Sequence, residues 1–134
     1  MRHIRRRGAR GFTLIEVLIV MVIIAILAGV GLYMYNNSVT SAREAVLKQN
    51  LLGMREAIDR YYADKNKWPA SLDTLVSEKY IRQVPDDPTT GAPDWQTTVG
   101  EPDPTNPSAE AGISDVHSSS SQTSPIDGTA YAEW

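Results

Sequence analysis

Glu16 is the only charged residue between positions 12 and 35, in a run that is otherwise almost wholly apolar and contains no proline. Arg2, Arg5, Arg6, Arg7 and Arg10 stand just before it, and Gly11 marks the junction. A charge in a membrane helix costs about 2.5–3.5 kcal/mol at mid-bilayer, so a carboxylate there calls for a cation or a function. The next basic residue after Glu16 is Arg43, roughly forty ångströms along a helix rising about 1.5 Å per residue. Cutting the chain between Gly11 and Phe12 would create an ammonium on Phe12, within a turn of Glu16, and would offer that charge to a neighbouring copy. The competing reading leaves Glu16 in the headgroup zone with its carboxylate snorkelled to water.

A second set of reactive types lies near the C-terminus, where Asp115, His117 and Ser118 are the three kinds of residue a hydrolytic triad uses. A triad is defined by geometry, not by closeness in sequence. No nucleophile elbow, glycine-rich phosphate loop or metal-spaced pair of histidines accompanies them. The chain therefore reads as a non-enzyme, with His117 a surface residue of a polar loop.

The elements that must position these groups follow from periodicity. Residues 12–35 are long enough to cross a hydrocarbon core of about 30 Å as a helix. The arginines resist translocation, so the leader stays in the cytoplasm and the rest of the chain faces the other side, N-in and C-out. An ordinary secretory signal, with Ala28-Gly29-Val30-Gly31 as the cut region, leaves both Glu16 and the Gly-Phe junction without a purpose. Residues 36–64 remain helical in period but become amphipathic, with Val39, Val46 or Leu47, Leu51, Met54, Ile58 and Tyr61 or Tyr62 on one face. Glu44 with Lys48, and Glu56 with Arg60, read as exposed acid-before-base pairs on the others. One helix from about residue 12 to residue 64 is expected, ending before Trp68-Pro69. Ser71 then caps a short helix carrying Leu72, Leu75 and Val76. Two short strands are expected at residues 94–99 and 112–117, and the proline-rich stretch from 86 to 107 reads as loop. Residues 118–124, with their run of serines, read as polar linker, yet Tyr131 and Trp134 require the terminus to fold back on the head.

Composition bounds the remainder. The 134 residues contain no cysteine, so a head too small for a large core must look to metal or to assembly for support. Five of the thirteen basic side chains precede Phe12, leaving eight cations against sixteen acids. No Lys or Arg follows Arg82. Such a tail repels nucleic acid and attracts cations, although a merely solvated acidic surface explains it as well.

The residues Gly11-Phe12-Thr13-Leu14-Ile15-Glu16 followed by Val17-Leu18-Ile19-Val20 resemble the type IV pilin and pseudopilin family. Trp68-Pro69, Tyr80-Ile81 and Val84-Pro85-Asp86-Asp87-Pro88 are similar to the major pseudopilin of type II secretion systems. The resemblance implies a pilin-like α+β fold, with a long N-terminal helix packed on a small loop-rich β head. It divides the chain into a leader (1–11), a membrane and filament-core helix (12–35), an amphipathic half (36–64) and a periplasmic head (65–134). It implies cleavage after Gly11 and methylation of Phe12 by a prepilin peptidase, with Glu16 aligning subunits in a homopolymer. Other pseudopilins and an inner-membrane assembly platform are the partners implied, and export through a periplasmic pseudopilus is the function. The same N-terminal features suit a type IV pilin working in adhesion, motility or DNA uptake. An alternative of another class is a membrane-tethered binding or hydrolytic protein. The resemblance also implies a calcium loop near the C-terminus, with Asp127 joined by Asp115, Ser118 or Ser120 as ligands and Trp134 as the closing aromatic.

Overall fold

The computed structural model describes residues 11–106 and 108–134; the arginine-rich part of the expected leader lies outside them. Helix α1 runs Leu14–Lys65. Its start has a local cause. The Thr13 hydroxyl accepts the Glu16 amide at 3.3 Å, and the Thr13 carbonyl accepts the amides of Glu16 and Val17 at 3.1 and 3.3 Å. Thr-x-x-Glu before an apolar run is the capping-box pattern. Its end has a local cause too: Asn66 turns into the left-handed region at φ 52° while its amide still bonds the Tyr62 carbonyl at 2.8 Å. Asn is among the few residues that make this turn at modest cost.

The chain separates into two units, Met1–Ser38 and Val39–Trp134. In the first, the described apolar side chains from Phe12 to Tyr35 are solvent-exposed along a helical stretch long and apolar enough to cross a membrane. The second has its own core. Leu47, Leu51, Met54, Ala57, Ile58 and Tyr61 of α1 pack with Leu75, Trp95, Ile113, Val116 and Tyr131. The 3.6-residue period expected of this half is therefore the core face, although Val46, its neighbour in sequence, stays half exposed.

Helix α2 (Leu72–Ser77) begins at Ser71, whose hydroxyl accepts the Thr74 amide, and it contributes Leu75 to the core. Strands β1 (Gln96–Gly100) and β2 (Gly112–His117) form a two-stranded antiparallel sheet. The pairing of Thr98 with Asp115 and of Val99 with Ile113 leaves Ser114 as a bulge. Trp68 explains why Gly100 and Gly112 face each other at the end of this ladder. A Cβ on Gly100 would lie 2.7 Å from the Trp68 ring nitrogen, and one on Gly112 would lie 2.6 Å from the Pro69 carbonyl oxygen. The indole also donates to the Glu101 carbonyl at 3.0 Å, and the Ile113 amide bonds the Pro69 carbonyl at 2.8 Å. Trp68-Pro69 is thus the seat of the sheet on the end of α1.

The proline-rich loops hold themselves by a repeated device. In Asp87-Pro88-Thr89, Asp103-Pro104-Thr105 and Asp127-Gly128-Thr129, the carboxylate accepts both the amide and the hydroxyl of the threonine two residues on, at 2.5–3.0 Å. Asn106 does the same with Ser108. These are Asx turns, legible as Asp/Asn-Pro/Gly-Thr/Ser, and they engage acids that the charge pattern alone leaves either cation-attracting or solvated.

Candidate functional site

The expected processing junction lies where α1 begins. Phe12 is 82% exposed, and its side chain borders a shallow apolar groove with Glu16, Val17, Val20 and Met21. Glu16 occupies the first turn of α1, where the exposed amides and the helix dipole favour a negative charge. The capping geometry leaves its backbone satisfied and its carboxylate available to a partner outside its own chain. Among the described residues, no ion pair involves Glu16.

The C-terminal segment does not resemble a linker. Ser118, Ser120 and Ser124 are buried, and each hydroxyl accepts an amide two residues further on, from Ser120, Gln122 and Ile126 respectively. The Ser124 amide pairs with the Thr129 carbonyl at 2.8 Å, and the tight return passes through Gly128 at φ 77°. Tyr131 is buried, its ring meeting Trp134 edge-on at 5.0 Å, and the Lys48 ammonium sits 4.1 Å above the Trp134 ring centroid. The terminus does fold back.

Two side chains of α1 receive it, and neither was identified from sequence. Glu44, read as a surface partner of Lys48, is only 6% exposed; its Oε1 accepts the Ser124 hydroxyl at 2.6 Å and the Tyr131 hydroxyl at 2.9 Å. The i, i+4 expectation fails because a buried carboxylate takes close hydroxyl donors while Lys48 gains the aromatic face. Arg55 donates to Asp115 Oδ1 at 2.8 Å, to the Val116 carbonyl at 2.8 Å and to the Trp134 backbone oxygen at 2.6 Å. The available signal was an arginine lodged between the core positions Leu51, Met54 and Ile58. Asp87 is likewise fully buried rather than solvated; the Ser118 hydroxyl donates to its Oδ2.

These contacts decide the hydrolytic question. The Ser118 hydroxyl donates its hydrogen bond to Asp87 rather than to His117, while His117 meets the Trp134 backbone oxygen at 2.9 Å and Asp115 at 3.3 Å. The triad types are present and the triad is not assembled. His117 is half-buried in this cluster instead of standing free on a surface loop.

The four residues expected to hold calcium do not form one cluster. Asp115 belongs to Arg55, Asp127 closes its own turn on Thr129, and Ser118 and Ser120 bond Asp87 and loop amides. Among the described residues, no three acidic or histidine side chains converge as metal ligands would. Burial alone would raise the Asp115 carboxyl, but the Val116 amide and the Arg55 guanidinium outweigh it and hold the group below the usual carboxylate range. The Thr129 hydroxyl and amide lower Asp127 in the same way. Burial, then the Glu44 carboxylate, pushes the Tyr131 phenol up. Calcium takes six to eight oxygens, whereas these four residues lie in separate contacts and each already bonds a protein donor.

Comparison with known proteins agrees with the N-terminal reading. The family described as the prokaryotic N-terminal methylation motif matches residues 6–32. The fimbrial protein EcpC of Eikenella corrodens is 36% identical over 80 residues, covering 56% of this chain and 52% of that protein. A type IV major pilin protein of Neisseria gonorrhoeae is 36% identical over 85 residues, covering 56% and 50%. The chain thus spans about half the length of these pilins. The type II secretion system core protein G of Aeromonas hydrophila is 31% identical over 102 residues, covering 63% of this chain and 70% of that protein. No solved structure gives a significant match. With the methylation motif at its start, a long helix on a small antiparallel sheet, and that extent of shared sequence, the chain belongs to the type IV pilin and pseudopilin family, whose members are structural subunits and not enzymes.

Proposed function

We propose that this chain is a major pseudopilin of a type II secretion system. A prepilin peptidase would cut it after Gly11 and methylate Phe12, and it would polymerise from the inner membrane into a periplasmic pseudopilus that helps drive protein export. The observation that carries this reading is the reach of the similarity. The match to core protein G takes in 70% of that protein, whereas the pilin matches take in about half of theirs. Residues 1–11 are then the leader, 12–35 the membrane and filament-core helix, 36–64 the amphipathic half and 65–134 the periplasmic head.

Polymerisation follows from the exposed apolar surface of α1. Lipid covers it before assembly and like helices cover it afterwards, with Gly29 and Gly31 permitting close approach. The Phe12 ammonium of one subunit would meet Glu16 of the next, because an unpaired charge in an apolar fibre costs several kcal/mol. An inner-membrane platform and other pseudopilins are the partners this reading requires. The type IV pilus is the second reading, favoured by the higher identity of the pilin matches. Deleting the chain in its host separates the two. Loss of exoproteins from the medium with surface fibres intact is expected; loss of surface fibres with normal export would establish the pilus instead.

A further inference from the structure

The C-terminal loop of this head is where a divalent cation is expected by resemblance, and its oxygens are turned to protein cations and hydroxyls instead. Arg55 gathers three of them: one carboxylate oxygen from Asp115, the carbonyl of Val116 and the backbone oxygen of Trp134, all at 2.6–2.8 Å. Carboxylate and carbonyl oxygens brought together from separate segments are the kind of ligand set calcium uses. A guanidinium presents five donors in a planar fork and keeps its charge at any pH the fold survives. With that fixed charge already among the oxygens, a second cation at the same place would be repelled.

The rest of the loop is held in the same manner. Glu44, about three turns earlier on the same side of α1, accepts the hydroxyls of Ser124 and Tyr131. Between these anchors Ser118 is tied to the buried Asp87, and Asp127 Oδ1 accepts the amide and hydroxyl of Thr129. No buried side-chain nitrogen or oxygen among the described residues is left without a partner, so the loop is complete as a network of protein bonds. We propose that Arg55 and Glu44 clasp the C-terminal segment directly, with the arginine standing in the place of a calcium ion, and that the head closes without a divalent metal. This holds whether the fibre is a pseudopilus or a pilus.

The test uses the full chain in detergent micelles, with thermal melting followed by the fluorescence of its three tryptophans. The wild type should melt within about 1 °C of the same temperature in excess EGTA and in millimolar calcium, since a ligand stabilises only the state that binds it. Arg55→Met and Glu44→Leu should each lower that temperature by about 5 °C or more in either buffer, and should expose the segment after His117 to protease. A wild-type melting temperature that falls by more than about 5 °C in EGTA and returns with calcium overturns the proposal. So does a pair of variants that melt and resist protease like the wild type. If a variant does not fold, the wild-type comparison still decides, and it is independent of any secretion or piliation phenotype.

Discussion

Glu16 and Glu44 lie on the same helix and are used in opposite ways. Glu16 stays in the first turn with its carboxylate outward, while Glu44 is buried on hydroxyls contributed from eighty and eighty-seven residues further on. Other acids of the chain are structural as well. Asp103, Asp115 and Asp127 have carboxyls lowered by close donors: Thr105 for the first, the Val116 amide and Arg55 against burial for the second, and Thr129 for the third. A group lowered in the folded state contributes stability that is present above its unfolded value, about 3.9 for Asp, and is lost as pH falls through the folded values. The head should therefore keep its urea resistance from neutral pH to about pH 5 and lose it progressively below that. Asp115→Asn should lower the midpoint at pH 7 and flatten that pH dependence; an equally steep profile in the variant would show that Asp115 does not contribute.

At the scale of elements, α1 and the β1–β2 ladder meet through one short corner. Trp68 covers Gly100 and Gly112, and its ring packs 4.2 Å from that of Tyr62. The glycines are required by proximity, since neither position has room for a methyl group beside the indole and the Pro69 carbonyl. Gly112→Ala should destabilise the head by about 1–3 kcal/mol, the usual cost of overpacking. Urea denaturation measures it, and Gly53→Ala on α1, where nothing lies within 4 Å of an added Cβ, serves as a control expected to be neutral or slightly stabilising. A ladder that accepts alanine at Gly112 without loss would mean that Trp68 moves aside freely.

At the scale of the whole molecule, the two units divide the work. The N-terminal unit carries the apolar surface and the processing motif, and the second closes on its own core. Glu16→Ala should leave processing at Gly11 intact but reduce assembled fibre by about tenfold or more, if the unpaired ammonium costs the ~1.4 kcal/mol per decade or more that burial of a lone charge implies. Immunoblots for the processed chain beside yields of sheared fibre read both halves of that statement. Wild-type amounts of fibre would remove Glu16 from the assembly contact. Failure to process would move its role to recognition by the peptidase.

Local periodicity by itself determined much of this protein. Apolar residues at helical spacing set the extent of α1 and its core face, Ser71 set the start of α2, and the β-prone stretches set the two strands, because each signal acts over a few neighbouring residues. The N-terminal methylation motif was legible for the same reason. Tertiary structure alone decided what the polar residues of the second unit do. Glu44, Arg55, Asp87 and the serines at 118 and 124 carry ordinary surface chemistry in the sequence, and each is drawn inward by a partner from 31 to 80 or more residues away. A polar group is stable inside only when its hydrogen-bonding demand is met, and the fold, not the neighbouring sequence, brings those donors and acceptors together.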